Sequence, residues 1–348
     1  MATYIIVDVN SVAHHAYHSF SSQHNQHSAI DLFDDVEDIS RDEALYIDLT
    51  ESIWFKIARY FKMFSADHAV LVSDSGSSWR KDIFEQYKST RKLGRSEQKI
   101  KDMDLIHMVI DDFVEYAYRS TKMTSIYGID KAEGDDIIAR WCALHDMDGC
   151  HTIIISGDKD FQQLVSSQVS LFSPVKNQLF HDGRVFNYSY EPTLGSIDLY
   201  GSNWNVAVTD DGEPVEFDPG YVLFEKIIRG DPSDSIPSAY PRVRKKKLME
   251  AYYGGDDVFN DLIHCTYMVG DTPVSVYDAF LRNQRLIDLK CLPDDLAHRI
   301  DEKIVSTVNR RTEKYPTIKL SQYAAMNNLL KIKDNISRFG LLVESEYF

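Results

Sequence analysis

Three short β-branched runs in this chain each stop at an acid: Tyr4-Ile-Ile-Val-Asp8, Ala69-Val-Leu-Val-Ser-Asp74 and Thr152-Ile-Ile-Ile-Ser-Gly-Asp158. Helix-length stretches with a three- and four-residue apolar period lie between them. From Ala44 to Phe64, for example, Ile53, Trp54, Ile57, Tyr60, Phe61 and Phe64 mark one face. Short strands alternating with amphipathic helices predict an α/β fold with a central, mostly parallel sheet flanked by helices. In an open sheet of that kind, ligands bind in the crevice outside the carboxyl ends of the strands. Acids placed there would meet in one small volume, and their charges could persist together only around hard cations.

Strands are predicted near Tyr4–Val9, His68–Ser73, Met123–Tyr127, Thr152–Ser156 and Val169–Phe172. Helices are predicted near Ala44–Phe64, Lys101–Arg119, Gly134–His145 and Asp160–Val165. Phe180 to Phe217, rich in Gly, Asn and Asp with alternating Val and Phe, reads as one or two hairpins or a connector. Helical patterns then take over at Tyr221–Ile228, Val243–Tyr253, Ser275–Ile287, Asp294–Asn309 and Ala324–Phe339. Two units are expected: an α/β domain over 1–218 and a helical lobe over 219–348.

With 348 residues, 43% of them hydrophobic, the chain can bury a full core. Its longest apolar runs, four to five residues, are far short of a membrane span. Met1-Ala-Thr carries no basic leader, and the four cysteines show no CxxC spacing. A reduced, cytoplasmic setting and a monomer are expected. A formal charge of −16 argues against nucleic-acid binding, but its distribution argues back. Arg80, Lys81, Lys88, Arg91, Lys92, Arg95, Lys99 and Lys101 crowd one basic segment near 80–101. Arg242, Arg244, Lys245, Lys246 and Lys247 form a second basic island. Both suit phosphate contacts, although such a run is also compatible with a solvated helix face.

Further acids come in pairs. Glu133-Gly134-Asp135-Asp136 opens a helix, where acids are favoured by the macrodipole alone, yet Gly134 would let Glu133 and Asp135 diverge toward separate ions. Asp158-Lys159-Asp160 is not an EF-hand loop, because Gln163 and Val169 stand where glycine and glutamate are required. Asp231-Pro232-Ser233-Asp234 could be a capped turn or a last pair of ligands. His14 and His18 lie one helical turn apart, but no acid or thiol completes a shell, so they are read as surface or core residues.

In this order and spacing, the set Asp8, Asp74, Glu133-x-Asp135-Asp136, Gly157-Asp158-Lys159-Asp160-Phe161 and Gly230-Asp231-Pro232-Ser233-Asp234 resembles the 5′-nuclease (flap endonuclease-like) superfamily. Trp79-Arg80-Lys81 and Tyr87-Lys88-Ser-Thr-Arg91 match its basic segment. The similarity runs to about Arg310 and is greatest toward the ribonuclease H branch of T-even bacteriophages, including Leu286-Ile-Asp-Leu-Lys-Cys-Leu-Pro-Asp-Asp295. The resemblance implies a PIN-like fold with an arch over the site and a C-terminal lobe bearing a helix-three-turn-helix element. It implies an Mg²⁺-dependent enzyme that removes RNA primers and 5′ flaps from duplex ends during phage DNA replication. The implied substrates are RNA–DNA hybrid, 5′-flap and nicked or forked duplex DNA, with a replication single-stranded-DNA-binding protein as a further partner. One departure stands out. The glycine-rich turn usual after the last acid is replaced by Ser235-Ile-Pro-Ser-Ala-Tyr-Pro241, so the basic run that follows would have to hold phosphate with side chains.

Two Mg²⁺ ions, replaceable by Mn²⁺, are expected on Asp8, Asp74, Glu133, Asp135, Asp158 and Asp160, with Asp231 and Asp234 acting through water. Arg80 and Lys88 are expected to steady the scissile phosphate, and Lys81, Arg91, Lys92 and Arg95 to clamp a single-stranded end. The rival readings are a PIN-type single-strand ribonuclease, a structure-selective DNA-binding protein with a degraded site, and a phosphoaspartyl phosphatase.

Overall fold

The computed structural model describes residues 2–27, 40–92, 96–145, 149–193, 196–269, 271–310 and 314–347. Five parallel strands form one side of a nine-stranded sheet: β1 (Thr3–Asp8), β2 (His68–Val72), β3 (Thr124–Ile126), β4 (His151–Ile155) and β5 (Val169–Ser173), in the order β3-β2-β1-β4-β5. Antiparallel strands β6 (Gln178–His181), β7 (Arg184–Ser189), β8 (Ile197–Leu199) and β9 (Ser202–Val206) extend it in the order β6-β7-β9-β8. The stretch read as hairpins therefore widens the central sheet.

Helices α1 (Val9–His27), α2 (Arg41–Met63), α3 (Arg80–Ile83), α4 (Glu97–Ser120) and α5 (Gly134–His145) belong to the first half. The second half carries α6 (Pro219–Arg229), α7 (Lys245–Tyr253), α8 (Asp256–Ile263), the hairpin β10 (Thr266–Val269) and β11 (Thr272–Ser275), and α9 (Val276–Ile287). After these come α10 (Asp294–Val308), α11 (Pro316–Met326), α12 (Leu330–Asp334) and α13 (Gly340–Val343). Among the described residues, no helix is long and apolar enough to cross a membrane.

The pleat sorts the core into two layers. Along β1, Ile5 and Val7 join a cluster with α1, α2 and α4, whereas Tyr4 and Ile6 join α5 on the opposite face. Both faces being covered explains why the parallel strands read as continuous β-branched runs. α1 was not anticipated, because its histidines interrupt the pattern. Its core face is Val9, Val12, Ala13, Ala16 and Phe20, all buried at helical spacing. The helix expected over Ala324–Phe339 is broken at Asn327, Asn328 and Asn335, with Asn328 in the left-handed region at φ 55°. Side-chain amides that bond locally and tolerate that region end helices.

The second unit expected over 219–348 is divided by its packing. α6 to α9 form their own small core around Phe224, Ile228, Leu248 and Leu262. α10 instead puts Leu296, Ile300 and Ile304 against the α5 face of the sheet. The last helices add Leu320, Leu329, Phe339 and Leu342 to the α2 layer. The lobe is thus an excursion from an α/β unit that the C-terminal helices complete.

Candidate active site

Strand register brings the first acids to one level. Asp8 ends β1 opposite Val72, and Val7 lies opposite Ile155, so Asp74 and Asp158 follow within three residues of the same rim. Asp8 is half-buried; its carboxylate accepts from the Ser11 N–H (3.0 Å) and the Ser156 hydroxyl (2.8 Å). Asp74 accepts from the Gly134 N–H at 2.6 Å, the first amide of α5. A Cβ at residue 134 would lie 3.0 Å from the Asp74 Oδ1, so glycine lets the helix terminus approach the carboxylate. That approach brings Asp135, in the first turn of α5, into the same pocket. Asp158 accepts from the Asp160 N–H at 2.8 Å, which sets the turn between the two.

These charges press on one another. Burial, reinforced by Asp74 and Asp158, pushes Asp8 up to about 7. Burial together with Asp158, Asp8 and Asp74 raises Asp135 well above the usual carboxylate range. Among the described residues, no three His, Cys, Asp or Glu side chains already close into a cage. The donor chemistry still selects its ligand. Mutually repelling carboxylates, Asp8 and Asp135 half-buried and Asp74 and Asp158 exposed, with no imidazole or thiolate among them, suit a hard, oxygen-preferring divalent cation.

The remaining acids are held by cations of the chain itself. Glu133 is bonded by Lys88, Arg80 (2.8 Å), Ser78 (2.8 Å) and Tyr87 (3.1 Å). Burial would raise its pKa, but Lys88 and Arg80 outweigh that and hold it low. Lys226 on α6 bonds Asp160 and lies 2.8 Å from Asp231. Burial and Asp158 push Asp160 up to about 6 against the pull of Lys226. Asp231, with Lys226 and Ser233 outweighing burial, falls to about 2. Asp234 is buried, and its carbonyl accepts from the Lys88 N–H at 2.9 Å, pinning the last acidic loop to the basic segment. Gly230 (φ 71°) permits that loop, since a Cβ there would lie 2.5 Å from the Ile236 carbonyl oxygen.

Lys226 escaped the sequence reading. Its signal was a lone lysine among Val222, Leu223, Phe224, Ile227 and Ile228, one turn before the final acid pair.

Arg80 needs correction. It was expected at the scissile phosphate, but its side chain is 2% exposed and its donors are already committed. They bond Glu133 and Asp136 at 2.8 Å each and the Leu286 carbonyl at 2.8 Å. Asp136 also receives the Trp79 indole N–H (3.1 Å). Arg80 is therefore a strut joining the basic segment, α5 and the end of α9. Lys88 is half-buried at the pocket wall, and its backbone takes a left-handed φ of 57°.

Lys81, Arg242, Arg244, Lys245, Lys246 and Lys247 are all exposed, the last three opening α7. Lys247 lies over the Tyr240 ring at 4.9 Å, and Lys246 is 3.8 Å from Glu250. Arg91 and Lys92 belong to a 3-10 turn over Ser89–Lys92, but their side chains, like the whole of Arg95, lie outside the described residues.

Comparison with known proteins bears on the family and the fold. The model of the family described as 5′-3′ exonuclease, N-terminal resolvase-like domain, matches residues 3–189. DNA polymerase I of Rhizobium leguminosarum is 31% identical over 110 residues, a match spanning 32% of this chain and only 10% of that protein. Among solved structures, a bacteriophage T5 protein co-crystallised with metal ions is 18% identical, with a TM-score of 0.56 over 88% of this chain and 99% of its own. A T5 flap endonuclease pseudo-enzyme–product complex with DNA and metal ions is 17% identical, with a TM-score of 0.56 over 88% and 100%. The family match spans more than half of the chain and takes in Asp8, Asp74, Glu133, Asp135, Asp158 and Asp160, so the chain belongs to the 5′-3′ exonucleases of the N-terminal resolvase-like domain family, enzymes that hydrolyse phosphodiester bonds.

Proposed function

We propose that this nuclease is a divalent-metal-dependent 5′→3′ enzyme. It removes RNA primers and 5′ flaps from RNA–DNA hybrid and from nicked or forked duplex DNA during phage replication, leaving 5′-phosphate and 3′-hydroxyl ends. The observation that carries the reading is the convergence of Asp8, Asp74, Asp135 and Asp158 at the carboxyl ends of parallel strands, where burial and the neighbouring carboxylates raise the pKa of Asp8 and Asp135. The T5 relatives with metal ions and DNA support the chemistry by analogy. The enzyme would work as a monomer in the host cytoplasm, alongside a replication single-stranded-DNA-binding protein.

Asp8, Asp74, Asp135 and Asp158 would hold one Mg²⁺ or Mn²⁺. Glu133, Asp160, Asp231 and Asp234 would serve a second ion, exchanging their present bonds to Lys88, Arg80 and Lys226 in part. When bound, such ions supply an acidified water and stabilise the attacking and leaving oxygens. The chain's own residues do the rest. Ser11 and Ser156 fix the Asp8 carboxylate, and the Gly134 amide fixes Asp74. Lys88 presents a cation where phosphate charge would enter. Lys81, Arg91, Lys92 and Arg95 would clamp a single-stranded end, and the island from Arg242 to Lys247 would grip duplex backbone.

Three 5′-labelled substrates (hybrid, flap and blunt duplex) digested with and without Mg²⁺ test this function. Metal-dependent release of short 5′ products from hybrid and flap is expected, and cleavage of single-stranded RNA alone would favour a PIN-type reading. Lys88→Ala should slow single-turnover cleavage by ~100-fold while changing substrate affinity much less. An unchanged rate would remove Lys88 from the chemistry. Alanine at Arg242, Arg244 and Lys245 together should flatten the log–log salt dependence of duplex binding by about two to three. The same slope in the triple variant would make that run a solvated face.

A further inference from the structure

A second cavity lies well away from the carboxylates. It is a groove of about 1040 Å³ between the C-terminal half of α2, the β7–β9 part of the sheet and the turns around Arg338. It touches Ser65 and Ala66, just before β2 begins, so the full length of β2, ~17 Å, separates it from the rim that carries Asp74.

Its shape and charge are both unusual for this chain. Phe55, Ala58, Arg59 and Lys62 line it at the i, i+3, i+4 and i+7 positions of α2; Phe339 packs on Phe55 at one end, while Arg59 and Lys62 stay exposed. The floor is apolar and buried, with Phe61, Met63 and Leu342 each below 10% exposure. The rim holds Leu341 at 82% and Tyr190 at 75% exposure. Its charged lining residues are Arg59, Lys62 and Arg338, with no acid among them, although the protein carries a net charge of −16. The Arg59 guanidinium reaches the Tyr190 hydroxyl at 3.3 Å, which ties the two walls together.

We propose that this groove binds an acidic peptide segment of a partner protein, one that sets a bulky apolar side chain on the Phe61–Met63–Leu342 floor and its carboxylates against Arg59, Lys62 and Arg338. The apolar floor favours a side chain inserted end-on, the mode of helix- or strand-in-groove recognition with a hot-spot anchor. The three cations favour an anion and reject the basic peptides that the rest of this acidic surface would attract. A single-stranded nucleic acid would satisfy the cations but would leave the sunken floor unused, because bases stack on exposed aromatic faces.

The test uses the full chain as bait for a displayed library of random dodecapeptides, with dT12 as a second probe. Enrichment of peptides pairing Asp or Glu with Phe, Leu or Trp is expected. The best of them should bind the Arg59→Glu/Arg338→Glu variant more weakly by about tenfold or more, while that variant keeps its melting temperature and its cleavage rate. A separate Leu341→Asp variant should also lose the peptides. Three results would overturn the proposal: no enrichment, enriched peptides indifferent to both variants, or dT12 binding that the same variants abolish.

Discussion

An Asp158→Asn variant is expected to fold and to bind flapped duplex as the parent does, while its cleavage rate falls by ~1000-fold or more. Asparagine keeps an oxygen to accept the Asp160 N–H, so the turn after β4 survives. What changes is charge. Asp158 is a repelling neighbour of both Asp8 and Asp135, and its neutralisation removes part of the field that holds their pKa values high. The pocket then attracts a divalent cation less strongly. Quenched single-turnover digestion of a labelled flap, beside a binding assay without metal, separates the two effects. Turnover at the parental rate would detach Asp158 from the site.

Arg80→Ala is the largest stability change expected. The guanidinium is the buried partner of both Glu133 and Asp136, and Asp136 is fully buried. Removing one member of a buried ion set leaves charge without compensation, a cost of ~3–5 kcal/mol. Denaturant unfolding should show that loss. It should be partly recovered in an Arg80→Met/Asp136→Asn double variant, which removes charge from both sides. Activity should not return with it, because Glu133 would still lack the strut that aims it. A single Arg80→Ala protein with parental stability and parental turnover would refute the strut.

The first half of the fold was legible because burial on both faces leaves mostly β-branched and apolar residues in β1, β2 and β4 beyond the starting His68 and His151, and an acid ends each strand or follows it within three residues. The acids of the site were legible for the same reason. Their division was not. Whether an acid stands open, as Asp8 does, or is clasped by a cation, as Asp160 and Asp231 are, depends on where α6 sets Lys226, and no local pattern encodes that distance. Arg80 misled in the opposite direction. An arginine beside a proposed site reads as a substrate contact until its partners, Asp136 and the Leu286 carbonyl, are brought in from remote segments. α1 was hidden because its histidines, with His14 and His15 half-buried and His18 exposed, carry no polarity signal strong enough to outline the buried stripe beside them.

Phe339 stacks edge-on against Trp54 and Phe55, with ring centroids 5.9 and 5.1 Å away, and Trp54 also meets Phe113 at 5.1 Å. A chain leaving the ribosome would have Trp54 and Phe113 available long before their last partner exists. That hydrophobic layer therefore stays open throughout synthesis of α6 to α10, so the nascent chain is exposed to aggregation until Phe339 has been made.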